Sequence, residues 1–464
     1  MGIGELFLVT LLLVNCKSAP EIKSIDDLDV DIDETFVPPS FEIKSKKQLG
    51  QEDLVEKVEP KVEIVEDVAD SSAKPLVSEV VEKPETIAPQ ETVASLEAVA
   101  LPETTKPSDA GAPISCENSP IKRGIDVDGL SAFLAGVDED FSAYNKLKSP
   151  EWDSFRKNFE ALKAHYTKKN IEPMVKWRDE NLQALQDVDK VLFYPFSGPD
   201  VVNMLSLFPR HKYYVMMGLE KVGDKETLDF WTSDINKRKL EMLEKAVRSV
   251  FERSFFRTLD MSSDFSHLGT KGVTPAMMMF LRSQGYYVLG LQWVSLSKEG
   301  SIKYLTDQES IKKHTNYGVE FTVRHPDLSY EQKIYYFKSD VGVALANNQP
   351  MQKFIGTLKD ATTFVKSASF LMHMREFSLF REKLLAMSGR ILQDDSGVPY
   401  KFVKKDWTST FFGKYTGPYG ESFAKFPQPD LVAAYKEQEY KPLDFFIGYG
   451  FALVPPHLML FVRK

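Results

Sequence analysis

Along residues 149–464 two hydrophobic patterns alternate, one recurring at spacings of three and four and the other running unbroken for four to eight positions. Ser149 and Pro150 supply an N-cap and a first-turn proline, and Trp152, Phe155, Phe159, Leu162 and Tyr166 then fall on one helical face. A second helix follows Glu172 and Pro173, carrying Met174, Trp177, Leu182 and Leu185. At 191–194 the pattern changes to a buried strand, followed by a turn at 195–200, a helix at 201–208 and a strand at 213–219, which together make a βαβ unit. A second such unit has Thr274 as N-cap, Pro275 in the first turn, a helix at 276–284, Gly285 as C-cap and a strand at 286–294. Leu240, Leu243, Val247, Val250 and Phe251 mark an amphipathic helix between the two. Residues 319–324 and 333–338 read as paired strands around a turn at 325–327, and 354–385 as mainly helical. Further strands are expected at 401–403, 410–414 and 445–451, with 458–462 closing the sheet. The pattern predicts an α/β fold in which a mixed sheet is sandwiched by helices.

Composition divides the chain near residue 120. Between Lys17 and Pro120 there are 24 acidic and 10 basic residues, 11 prolines, two phenylalanines and no tyrosine or tryptophan. Such a segment buries too little apolar surface to offset the entropy of ordering it, so 16–120 reads as a disordered acidic tether. All five tryptophans, all eighteen tyrosines and all seven histidines lie beyond residue 140. Residues 121–464 then form the α/β domain with its N-terminal helical segment, and their 48 basic and 42 acidic residues place the net −9 of the chain on the tether. A small basic excess without a concentrated face gives no ground for a nucleic-acid partner.

Before the tether, an apolar run from Leu6 to Val14 ends in Leu13-Val14-Asn15-Cys16. It is too short to span a bilayer, which takes roughly twenty apolar residues, and it suits the h-region of a cleaved signal. Cys16 and its surroundings resemble the bacterial lipoprotein box in the relaxed form of spirochaetal lipoproteins, although the first five residues carry Glu5 and no Lys or Arg. The resemblance implies a signal peptide over 1–15, a lipidated Cys16 bearing palmitate-type acyl chains, export, and anchorage to the membrane of the cell envelope, in the outer membrane. It also predicts no intramolecular disulfide between Cys16 and Cys116, the chain's two cysteines.

Two segments carry candidate chemistry. In Tyr194-Pro195-Phe196-Ser197-Gly198-Pro199-Asp200 a strand gives way to a helix, and amides exposed there attract anions. Ser197, Gly198 and Asp200 are candidate ligand contacts; the alternative is that Ser197 caps the helix, Gly198 permits the turn and Pro199 opens the first turn. In Gln393-Asp394-Asp395-Ser396-Gly397-Val398-Pro399-Tyr400, the adjacent carboxylates of Asp394 and Asp395, with Ser396, either share a proton and bind a divalent cation or a hydroxyl-rich ligand, or hold a turn before a strand. Trp407, Lys414, Tyr415 and the loop at 417–420 are placed to wall a pocket there.

These two segments, with Gly413-Lys414-Tyr415, Pro429-Asp430-Leu431 and Gly448-Tyr449, resemble an uncharacterised bacterial α/β family known by the same two motifs. The resemblance covers roughly residues 150–464 and implies one domain without naming a reaction. His211, His267, His314, His325, His373 and His457 are scattered without ligand spacing and read as surface or core positions. There is no His-Glu-x-x-His, Walker loop, Cys-x-x-Cys or complete dinucleotide fingerprint, so no metal or cofactor is expected, and no catalytic residue is assigned. Two functions follow: a non-catalytic envelope lipoprotein whose domain binds a glycan or protein partner, or an envelope hydrolase acting on a glycan or peptide through Asp394 and Asp395 or through Ser197 and Asp200.

Overall fold

A computed structural model describes residues 114, 116, 126–140, 144–232, 236–254, 272–306, 314–449 and 454–464. Residues 1–113, on which the expected signal peptide, the lipidation of Cys16 and most of the expected tether fall, lie outside the described residues. Among the described residues the fold is α/β with helices on both faces of one mixed sheet. Its strands are β1 (Val191–Tyr194), β2 (Tyr213–Gly218), β3 (Tyr287–Leu296), β4 (Ile302–Tyr304), β5 (Tyr317–Arg324), β6 (Gln332–Lys338), β7 (Ala361–Val365), β8 (Ser388–Gln393), β9 (Trp407–Gly413) and β10 (His457–Arg463). They lie in the order β4-β3-β5-β6-β2-β1-β7-β8-β10-β9.

The central run β6-β2-β1-β7-β8 is parallel, and each wing is antiparallel. Burial on both faces accounts for the composition of the central strands. Every residue of β1 and β7 is buried, so Val-Leu-Phe-Tyr and Ala-Thr-Thr-Phe-Val show no alternation. Leu192, Tyr194, Met216, Tyr336 and Phe364 face one core, packed against the helices Pro150–Tyr166, Val201–Leu207, Lys237–Arg253 and Thr274–Ser283. Val191, Phe193, Val215, Phe337 and Val365 face the other, under the helices Gln349–Thr357, Ser378–Met387 and Pro429–Glu437. Fully burying a side chain such as Phe193 contributes roughly 1.5–3 kcal/mol, which is why the apolar runs govern the architecture.

Several expected elements hold. Ser149 accepts the Trp152 amide as the N-cap of Pro150–Tyr166. The βαβ unit from β1 to β2 forms as read. Residues 458–462 are strand as expected, within β10, but they do not close the sheet: β10 sits between β8 and β9, and β9 is the edge. The helix of the second unit begins one residue earlier than expected, with Val273 in the cap position and Thr274 already helical.

Other expectations are corrected. Residues 354–385 hold α-helix at both ends and two 3₁₀ turns, but the strand β7 also runs through them and was not expected; a short apolar run buried on both faces cannot be told from a helical segment by period alone. The Asp394-Asp395 turn follows a strand, β8, rather than preceding one, and residues 400–402 form a 3₁₀ turn where a strand was expected. Residues 445–449 are loop, and 450–451 lie outside the described residues. Packed chain also begins before residue 121: Ile114 is buried in the second core and Cys116 forms a parallel bridge with Ile302.

The topology fixes where a site can lie. The chain leaves β1 toward β2 on one side, whereas β7, on the other side of β1, leads onward to β8. Loops leaving the carboxyl ends of β1 and β7 therefore diverge, which opens the crevice where ligands sit in open α/β sheets. Because β10 runs antiparallel beside β8, its first residue, His457, joins the same end of the sheet.

Candidate functional site

Both motif segments lie at this carboxyl edge, one after β1 and the other after β8, with the loop after β7 between them. Asp200 caps the helix Val201–Leu207 through the Asn203 amide at 3.1 Å, so the capping role expected of Ser197 belongs to Asp200. Ser197 instead donates from Oγ to the carbonyls of Gly198 (2.9 Å) and Met217 (3.3 Å), and its amide donates to Met217. Gly198 lies at φ +51°, and the turn also places Phe196 at φ +58°, a left-handed conformation that costs a residue with a side chain.

The Asp200 carboxylate is filled. Tyr194 donates to it at 2.9 Å, the Asn203 side chain at 3.1 Å, and Lys366, the first residue past β7, forms an ion pair at 2.8 Å. Lys366 also donates to the Ser254 carbonyl at 2.5 Å, and both charged groups are buried. Burial, then the charge of Asp200, raises the Tyr194 phenol far above the usual range, so it remains a proton donor. The arrangement is a saturated strut across the crevice between β1 and β7.

One residue further on, the β7 loop reaches the second motif. Asp394 accepts the Ser367 amide at 2.8 Å, the Ser396 amide at 3.0 Å and the Ser396 hydroxyl at 2.5 Å. The Ser396 hydroxyl in turn accepts the Ala368 amide at 2.8 Å. Burial and then the neighbouring Asp395 raise the Asp394 carboxyl above the ordinary carboxylate range, against the lowering effect of its donors. Gly448 passes so close that a Cβ there would lie 2.4 Å from Asp394 Oδ2, and its φ is +76°. Ser367, Ser369 and Phe370 all adopt positive φ, between 51° and 56°, which concentrates left-handed backbone in the loop that meets the carboxylate.

Asp395 is placed differently. Its Oδ1 lies 3.0 Å from Nε2 of His457, and its carbonyl accepts the Gln428 side chain at 3.0 Å. Its Oδ2 is buried and has no hydrogen-bond partner among the described residues. Burial opposes charge on His457, but Asp395, through charge and hydrogen bond, together with Asp394 and a hydrogen bond to the Pro455 carbonyl, outweighs it and raises the imidazole above its ordinary value. Tyr415 packs its ring 4.8 Å from that of His457. Its hydroxyl is pushed upward by burial and then by Asp395, and it faces the Asp395 carboxylate and the Gln428 side chain without a hydrogen bond of good geometry to either. Nε2 of His373 and Oγ of Ser367 are also buried without a hydrogen bond of good geometry, and burial drives the His373 imidazole down to about 4.

Of the residues singled out from sequence, Asp394, Asp395, Ser396 and Tyr415 thus meet, and Ser197, Gly198 and Asp200 stand across Lys366 and Ser367 from them. Lys414 is exposed and contributes its amide to the Pro456 carbonyl. Trp407 pairs with Arg463 at the opposite end of β9 and does not line the site. Sequence reading missed Lys366, Ser367 and Gln428, and it read His373 and His457 as isolated. Pro455 and Pro456 directly before an apolar strand were the one local sign that His457 sits at a strand entrance.

The geometry narrows the chemistry. A serine hydrolase needs a hydroxyl hydrogen-bonded to a base, but Ser197 donates to carbonyls and both nitrogens of His457 are engaged. Among the described residues no three His, Cys, Asp or Glu side chains converge to hold a metal ion. Comparisons with protein-family models, curated proteins and solved structures find no match for this chain.

Proposed function

We propose that this protein is exported, is held on the bacterial envelope, in the outer membrane, by acyl chains on Cys16, and uses its α/β domain to bind an envelope glycan or protein partner without transforming it. The observation that carries the binding reading is Oδ2 of Asp395, a buried acceptor without a partner at an edge where the neighbouring carboxylates are saturated. Leaving such a group unpaired costs about 1–3 kcal/mol, a cost that an incoming donor recovers. The hydrolase reading has one hydroxyl on a carboxylate, Ser396 on Asp394 at 2.5 Å, but that hydroxyl is fully buried and also accepts the Ala368 amide, as a turn-holding group does. The lipoprotein box at Cys16 supports anchorage, and among the described residues no helix is long and apolar enough to cross a membrane.

The test immobilises the full chain, exposes it to a detergent-solubilised envelope fraction, and identifies by mass spectrometry what is retained by the wild type and by Asp395→Asn. A molecule retained by the wild type and lost from the variant is the expected result. Equal retention by both removes this site from the function.

A further inference from the structure

Resting on that reading, we infer that the site takes a sugar ring, with one hydroxyl directed to Asp395 Oδ2 and Tyr415 and an apolar ring face laid on the aromatic side chains beside them. Three independent features of the edge carry this.

The first is the acceptor itself. Asp395 Oδ1 is already engaged by the His457 ring at 3.0 Å, while Oδ2 is a single open acceptor that one hydroxyl donor fills. Among the described residues no three His, Cys, Asp or Glu side chains converge to hold a metal ion. The second is the pairing of roles. Tyr415 is 3% exposed, and its hydroxyl, which faces Asp395 and Gln428 without a hydrogen bond of good geometry to either, is able both to donate and to accept. A hydroxyl on the ligand satisfies an acceptor such as Asp395 Oδ2 and a phenol together, because it too does both.

The third is the wall. Phe426 stacks on Phe370 at 5.3 Å with an interplanar angle of 3°, and Tyr449 meets Phe423 at 4.7 Å. Phe426, Tyr449 and His373 are half-buried, so this cluster reaches the surface, whereas Asp395 lies within. Tyr449 is tied to the β7 loop by donating to the Ser367 carbonyl at 2.7 Å, in the stretch where Ser367, Ser369 and Phe370 hold positive φ. An aromatic shelf bordering a buried carboxylate suits a ligand with C–H bonds on one face and hydroxyls on its rim. A peptide's backbone instead asks for a row of amide and carbonyl partners, as at a strand edge.

The experiment titrates the full chain in detergent with chitotriose, maltotriose and trialanine, read by saturation-transfer NMR and calorimetry. The variants are Asp395→Asn, Tyr415→Phe, Phe426→Ala and, at the far wing of the sheet, Tyr287→Ala. The expected result is binding of at least one trisaccharide, weakened about tenfold by each of the first three changes and unaltered by the fourth. Tyr415→Phe keeps the ring and its packing, so it decides the matter if Phe426→Ala does not fold. Binding of trialanine with the same dependence, and of neither sugar, overturns the sugar assignment and leaves the site standing. Failure of all three probes, while envelope material is still lost from Asp395→Asn, also overturns it. Sugar binding that no variant weakens places the sugar elsewhere on the molecule.

Discussion

Nε2 of His457 lies 3.0 Å from Oδ1 of Asp395, and this contact joins the entrance of β10 to the exit of β8. The two residues are 62 positions apart in the chain, and antiparallel pairing of β10 with β8 brings them together. The pair is buried, so its charge state is tied to the stability of the carboxyl edge.

Stability should therefore respond to pH from both sides. His457 has a folded value above its ordinary one, so its contribution is complete below about pH 6.5 and is lost as pH rises through the folded value. Asp394 is also raised, and its contribution falls away in the same direction, starting from about pH 4. His373 is lowered to about 4, so its neutral folded form loses stability as pH falls from about 6.5 toward that value. Urea denaturation from pH 4 to 9 should show wild-type stability declining above pH 6.5, and His457→Gln should flatten that limb. Parallel curves for the two proteins would show that the pair does not titrate as its geometry requires.

The two aspartates should separate by phenotype. Asp394 accepts two amides and a hydroxyl, so Asp394→Ala should lower stability by about 2–3 kcal/mol. Asp395→Asn keeps an acceptor near His457 but removes the charge that raises that imidazole, so it should abolish ligand retention and lower stability chiefly at acid pH, where the imidazole is protonated. Denaturation alongside the envelope-capture assay distinguishes them, and equal stability losses with intact capture would reduce both residues to holding the turn.

Lys366→Met should be among the most damaging single changes in the domain. It leaves the Asp200 carboxylate buried beside Tyr194 without its cation, at about 3–5 kcal/mol. Adding Asp200→Asn to Lys366→Met should recover part of the loss in chemical denaturation. If Lys366→Met costs less than about 1 kcal/mol, the strut between β1 and β7 contributes little.

Gly448→Ala should destabilise the same edge from the other side, because its Cβ would meet Asp394 Oδ2 and the backbone holds φ +76°. A loss of about 1–3 kcal/mol is expected in thermal melts. Asp394→Ala in the same chain should relieve part of it, so the two changes should combine to less than the sum of their separate effects.

At the N-terminus, Cys16→Ser should move the protein from the detergent phase to the aqueous phase in detergent partitioning, since loss of the acylated thiol removes the proposed anchor. Retention in the detergent phase would require another mode of attachment.

What the sequence determined by itself was the material of the fold and the position of its motifs. Unbroken apolar runs at β1, β2 and β6, and three-and-four spacing in the helices around them, are set by local geometry and burial, and they predicted helices on both faces of a mixed sheet. Turn chemistry likewise marked the two segments ending at Asp200 and beginning at Gln393, because glycine, proline and aspartate act there on adjacent backbone. Strand order was beyond its reach. β7 was hidden inside an apparently helical stretch, and only its insertion between β1 and β8 brings Lys366 onto Asp200 and Ser367 onto Asp394. The same holds for the contrast within the acidic pair. Nothing in Asp394-Asp395 says which carboxylate is saturated and which keeps an open oxygen, since that depends on amides, an imidazole and a phenol delivered by distant strands and loops.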